Sequence, residues 1–277
     1  NYSLVNGVKI ASPDNKERYV PLDLFPSELM DRLEVTKSLT PDMEGDATGG
    51  VINMVMKDAP TTLRIQADAA VGYNSIYFNR DLASVGNNIT MTAPREAHGA
   101  DYKASMSDFS KATSQLSYAR PLPDLWLSLS GGRRFLDDRL GLMLAGSYQN
   151  MNRATNSLFY TDAMSQVQST VHVTDQRKRE YSEQLQQWGA HAKLDFVPAY
   201  GHKIEWYNAY IGSRSDQVRE MTITDLSLDY NPELGNYTKT YQTRARRTLQ
   251  GIFSSTLKGT HQLGDNWDLD WAGVYGH

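Results

Sequence analysis

From Leu63 to the end of the chain, apolar and polar residues alternate with a period of two, in blocks separated by turns. In 63–73, Leu63, Ile65, Ala67, Ala69, Val71 and Tyr73 share one face, and Arg64, Gln66 and Asp68 the other. LWLSLSGGRRF (125–135) sets Leu125, Leu127 and Leu129 opposite Ser128, Ser130 and Arg134. After the tight turn LDDR, residues 140–149 place Leu140, Leu142, Leu144 and Tyr148 together. Residues 184–196 set Trp188, Ala190, Ala192, Leu194 and Phe196 against Gln187, His191, Lys193 and Asp195. The pattern continues with Ile204, Trp206 and Tyr210, then Leu249, Phe253 and Leu257, and finally Trp267, Leu269, Trp271 and Tyr275. Successive side chains of a strand point to opposite sides. The blocks therefore call for an antiparallel sheet with one greasy and one polar face.

About seven strands fit, in a rhythm of short turn and long polar stretch. The stretches 74–124, 150–176 and 214–242 are expected to be loops, the first long enough to be functional. Outer-membrane barrels have this asymmetry of short periplasmic turns and long external loops. Lys193, Asp195, Lys203, Glu205, Asp268 and Asp270 fall on the face away from lipid, and Trp and Tyr near strand ends suit an interfacial girdle. Mean hydropathy is −0.54 and no apolar run approaches the ~20 residues of a membrane helix. A barrel escapes that test, because only alternate residues meet lipid. A soluble sheet with one wet face explains the alternation equally well, but the turn and loop asymmetry less well.

A net charge of −4 gives no support to nucleic-acid binding. The absence of cysteine excludes disulfides, thiolate metal sites and a Cys nucleophile.

Residues 1–58 read differently. Asn6-Gly7 between two apolar runs is a strong hairpin signal. Pro26 suits a first helical turn, and Leu29, Met30 and Leu33 form one stripe of the helix expected there. LEVTK (33–37) and VINMVMK (51–57) read as strands around the loop TPDMEGDATGG. A mixed α+β segment of this size is expected to need the following β-rich part as its support.

The order of these residues resembles the later part of the plug domain of TonB-dependent outer-membrane receptors, in the form found in Bacteroidetes-type bacteria. Asn6, Gly7, Pro26, Glu34 within Leu33-Glu34-Val35, Gly45 in the loop, Gly49, Gly50, Asn53 and Lys57 occupy the plug motif positions. The resemblance implies a membrane β-barrel with an N-terminal plug segment. Residues 1–58 would be the C-terminal part of the plug, and 59–277 the first strands of the barrel. It implies an outer-membrane location in a Gram-negative bacterium and import of a scarce nutrient, such as a ferric chelate, haem, corrinoid, glycan or peptide. A TonB energy-coupling protein, outer-membrane lipid and a surface lipoprotein are the implied partners, with no cofactor. No signal-peptide pattern opens the sequence. Asn1 falls inside an element and WAGVYGH still alternates, so a longer chain is expected. The family's barrel has 22 strands, and about seven cannot close around a plug.

Asp42, Glu44 and Asp46 do not make a calcium loop, since Ala47 stands where the EF-hand pattern needs Gly and Asn53 where it needs the bidentate Glu. The six histidines lack zinc spacing, and no nucleophile or phosphate-loop motif supports an enzyme. Asp31, Arg32, Glu34 and Lys37 are candidates to pair with wall charges such as Arg64 or Lys193. Tyr77, Phe78, Phe159, Tyr160 and Tyr237 are candidate ligand contacts. The rival functions are a receptor-like barrel subunit of a surface assembly or secretion complex, a barrel hydrolase, and a soluble β-rich binding module.

Overall fold

The computed structural model describes residues 2–9, 25, 30–38, 50–86, 89–109, 111, 115–164, 170–226, 230–264 and 266–277. Strands make up 69% of it, mostly antiparallel, with almost no helix.

The N-terminal segment forms a four-stranded sheet from β1 (Tyr2–Val5), β2 (Val8–Lys9), β3 (Met30–Thr36) and β4 (Val51–Met56), in the order β2-β1-β4-β3. Asn6 and Gly7 have φ of 51° and 80°, the left-handed pair a type I′ turn requires. β1 runs parallel to β4, and β3 antiparallel to it. The expected stripe of Leu29, Met30 and Leu33 is corrected in part. β3 already begins at Met30, and Leu33 is 46% exposed. Pairing with β4, which buries Val51, Met54 and Met56, draws this stretch into the sheet. Pro26 and Leu29 lie outside the described residues.

The chain then builds β5 (Arg64–Gly72), a small unit, and five long strands. The small unit holds a 3-10 turn at Ser75–Phe78, β6 (Leu82–Ser84), helix α1 (Pro94–His98), a turn at Met106–Asp108 and β7 (Ser117–Ala119), which pairs with β6. It occupies much of the stretch expected to be irregular. β8 (Asp124–Phe135), β9 (Leu140–Met164), β10 (Val171–Ala199), β11 (His202–Asp225), β12 (Lys239–Gln262) and β13 (Asp268–Gly276) follow. The large sheet has seven strands, in the order β13-β12-β11-β10-β9-β8-β5, each paired antiparallel with its neighbours.

Two expected loops are corrected. Most of 150–176 and 214–242 is strand, and β10 alone has 29 residues. Its pairing with β9 runs from Phe196↔Leu140 to Val171↔Met164 with one irregularity, between Val173 and Asp175. At about 3.3 Å per residue β10 spans roughly 95 Å. Its greasy stretch, Trp188 to Phe196, takes up only about 26 Å of that length.

The register assigns every long-strand residue to a face. Leu127, Leu144, Trp206 and Tyr210 lie on the outer face, between 44% and 50% exposed. Ser130, Lys193 and Asp195 lie on the inner face, and all are buried. The N-terminal sheet rests on this inner face. Val5, Phe25, Met54 and Met56 pack with Ala145, Tyr207, Ala209, Ile211 and Ile252 in one core. On the outer face two tryptophans cover cross-strand glycines. Trp188 lies over its register partner Gly212 and Trp271 over Gly259, so close that a Cβ on either glycine would meet indole atoms at 2.5 and 2.3 Å.

Candidate functional site

The site is the seam between the N-terminal sheet and the inner face that carries it. Three of the motif residues are joined by hydrogen bonds, and a fourth holds β4 beside them. The Gly7 N–H donates to Asn53 Oδ1 (2.8 Å), and Asn53 Nδ2 donates to Glu34 Oε2 (2.7 Å). Asn6 Oδ1 accepts from the Met56 N–H at 2.9 Å. The hairpin tip is thereby fixed to β4, and β4 to β3. Hydrogen bonds from Asn53 and then Arg32 hold the Glu34 carboxyl below the usual carboxylate range. Gly50, at φ 101°, lets β4 begin where a side chain would strike the Thr36 carbonyl. Pro26, Gly45 and Gly49 lie outside the described residues.

The expected pairing of β3 charges with the wall is corrected. Arg32 is paired with Asp31 and Glu34 on its own strand, at 3.0 and 2.8 Å. Lys193 instead meets Asp58, just past β4, and also Glu205 at 3.3 Å. Burial alone would raise the Asp58 carboxyl, but the hydrogen bond and charge of Lys193 outweigh it and lower it. Lys203 adds a bond to Glu205 at 2.9 Å. Arg134 donates to the Ala59 carbonyl (3.2 Å) and to Asp195 (2.7 Å), while its N–H donates to the Pro60 carbonyl (2.9 Å). The linker 58–60 is thus stapled to the large sheet by charged hydrogen bonds, where it joins the two sheets. Lys57, Asp31 and Asp58 line a cavity of about 320 Å³ that opens between them and Arg64.

The five aromatics do not converge. Phe159 lies on the inner face beneath the Arg179 guanidinium, 5.2 Å from the ring centroid, while Tyr160 lies on the opposite face. Tyr237 faces Lys239 in the β11–β12 connection. Phe78 stacks on Tyr73. Tyr77 is fully buried and donates to the Arg153 carbonyl at 2.7 Å, so in this structure it anchors the unit between β5 and β8.

That unit was not legible in the sequence. It docks on the outer face, because Asp216, Val218 and Glu220 share the side of β11 that carries Trp206 and Tyr210. Ala83 and Val85 pack on Val218 and Ala245. Arg80 reaches Asn156 and the Tyr181 carbonyl. Arg247 bridges Asp216 and the Gly86 carbonyl, both at 2.6 Å. Burial would raise the Asp216 carboxyl, but Arg247 and Arg214 outweigh it and hold it below the ordinary range. Tyr118 donates to Glu220 at 2.7 Å, and burial, then that bond, push its hydroxyl up to about 12.

No protein-family model matches the sequence, and no curated protein matches it.

Proposed function

We propose that the chain forms the plug and wall of a TonB-dependent outer-membrane receptor, which binds a nutrient at the cell surface and imports it through a plugged β-barrel. The observation that carries this reading is the inverted burial of the large sheet. Leu, Trp and Tyr side chains are presented outward, while Lys193, Asp195 and several hydroxyls are buried on the face that carries the small mixed sheet. In water that arrangement is unfavourable at the outer face, since greasy area stays wet. In lipid the outer band meets acyl chains, while the buried charges keep their internal partners.

β5 and β13 each have one edge without a strand partner among the described residues. Unpaired backbone groups in hydrocarbon cost several kcal/mol each. The receptor reading therefore requires further strands to close the barrel from both edges. The ion-paired seam at Lys193 and Asp58 suits a plug that must stay seated at rest and yield under pull.

The test begins with the full gene product. It should fractionate with outer membranes and need detergent for extraction. Deleting the gene should abolish growth on one scarce nutrient, and collapsing the proton-motive force should stop its uptake. Recovery as a stable monomer from aqueous buffer would sink the membrane reading.

One observation favours a second reading, a receptor-like subunit of a surface assembly. The outer-face unit presents Phe78, Met106, Phe109 and Leu122 to the outside. Unaffected nutrient uptake together with loss of a co-purifying surface complex would favour it.

A further inference from the structure

The long strands continue past the seated module, and their two faces carry different electrostatics. On the outer face several charges are neutralised in place. Lys178 pairs with Glu180, and Arg214 and Arg247 share Asp216. On the inner face Arg153, Arg179, Arg219, Arg244 and Arg246 have no carboxylate partner among the described residues. Cross-strand register brings them together. Arg153, Glu183, Gln217 and Arg246 form one row, and Tyr181, Arg219 and Arg244 the next. Glu183, the carboxylate in the first row, accepts from Ser215 at 2.6 Å. The Nε–H groups of Arg179 and Arg219 are buried with no acceptor. Two rows nearer the module, past Leu185, Ser215 and Thr248, Gln187, Ser213 and Gln250 form a row of amides and a hydroxyl. Gln187 is 5% exposed and its Oε1 lacks a partner. Together with Arg153 and Arg246 these groups line a cavity of about 280 Å³.

We propose that this strip binds an oligosaccharide bearing carboxylate or sulfate groups. Guanidinium groups offer paired donors that match an oxyanion, and these clustered arginines lack a carboxylate to occupy them, Arg244 giving only one bond, to Gln217 Oε1 at 3.2 Å. The amide and hydroxyl row supplies donors and acceptors for sugar hydroxyls. An acidic peptide matches the guanidinium groups too, but it brings no run of hydroxyls to the amide row and finds no free sheet edge to extend. Here β10 and β11 are paired on both sides, so their backbones are occupied. Calling this solute the cargo rests on the receptor reading; its binding to the strip does not.

The experiment is calorimetric titration of the full-length protein in detergent micelles. The probes are tetragalacturonate, a heparin tetrasaccharide, maltotetraose and tetraglutamate. At least one acidic saccharide should bind, and its affinity should fall about tenfold or more between about 50 mM and 500 mM salt. Arg244 and Arg246 are exposed, so the double change Arg244→Gln with Arg246→Gln should leave the thermal melt in place. It should weaken binding about tenfold. Arg214→Gln on the outer face should leave affinity within about twofold. Absence of binding by both acidic saccharides, equal binding of maltotetraose, tighter binding of tetraglutamate, or an unaffected double variant overturns the proposal. Each of those outcomes leaves the membrane-fractionation test standing, and failure of fractionation leaves the titration interpretable.

Discussion

Asp195 shows how a single buried charge fixes the junction of the two sheets. Its side chain is 1% exposed and its partner Arg134 only 16%, at 2.7 Å. Arg134 also holds Ala59 and Pro60, so it joins the linker to the wall. Replacing Asp195 by Asn keeps the shape but leaves a guanidinium without its counter-charge. The expected cost is about 3 kcal/mol in denaturant unfolding of the micelle-bound protein. Arg134→Met combined with Asp195→Leu should recover most of that loss, because it removes both charges together. If the single change costs no more than an exposed ion pair would, the junction is held by packing alone. Gly212 makes a different demand, for space. Gly212→Val would drive Trp188 off the outer face, and a loss of about 2 kcal/mol is expected. Its local signature is a red-shifted, more quenched Trp188 emission, read as the difference from a Trp188→Phe background.

Strand ends were the least legible elements, for a physical reason. The alternation that reveals a strand arises only where one face meets a greasy phase. Between residues 177 and 187 the sequence RKREYSEQLQQ is polar on both faces, so period two vanishes although the ladder continues. The small outer-face unit was hidden for the opposite reason. Its anchors, Tyr77 and Arg80, are single residues with no period, and their partners lie far off in sequence. At this scale docking depends on Asp216, and the sign of its pH dependence follows from its lowered titration. A carboxyl whose folded value lies below its unfolded one contributes stability above about pH 4, and that contribution is lost as pH falls through the lower, folded value. The unit should stay docked at pH 5 and release only below the ordinary carboxylate range. Hydrogen exchange in 82–86, corrected for intrinsic rates, should rise only there; release already near pH 6 would exclude Asp216 as the tie. At neutral pH, Asp216→Asn leaves Arg247 and Arg214 without a counter-ion. Trypsin should then cut at Arg95 and Lys103 about tenfold faster than in the parent, for a loss of about 1.4 kcal/mol.

For the whole molecule, the composition of each face decides the environment. The N-terminal segment was legible as residue types and order; in the structure Gly7, Asn53 and Glu34 are joined by hydrogen bonds, and Asn6 separately accepts from Met56. What the sequence did not disclose was the choice of wall partner. Asp58, rather than a β3 carboxylate, reaches Lys193, because β3 charges satisfy one another along their own strand. Large-scale orientation can be tested by placing the same charge on either face of one strand. Leu144 lies in the middle of the outer band, and Gln149 on the inner face of the same strand β9. If the outer band is immersed in hydrocarbon, Leu144→Arg costs about 2–4 kcal/mol and abolishes or slows insertion into lipid vesicles. Gln149→Arg, facing a polar interior, should insert as the parent does. In water the order reverses: Leu144→Arg removes exposed greasy area and raises solubility, while Gln149→Arg adds charge beside Gln187 and Arg134 remains undisturbed. Vesicle insertion followed by heat-modifiable gel mobility reads the first outcome, and aqueous solubility the second. A sheet that lives in water would tolerate Leu144→Arg in both assays, and the inverted burial would then mark a protein–protein face instead of a lipid-facing one.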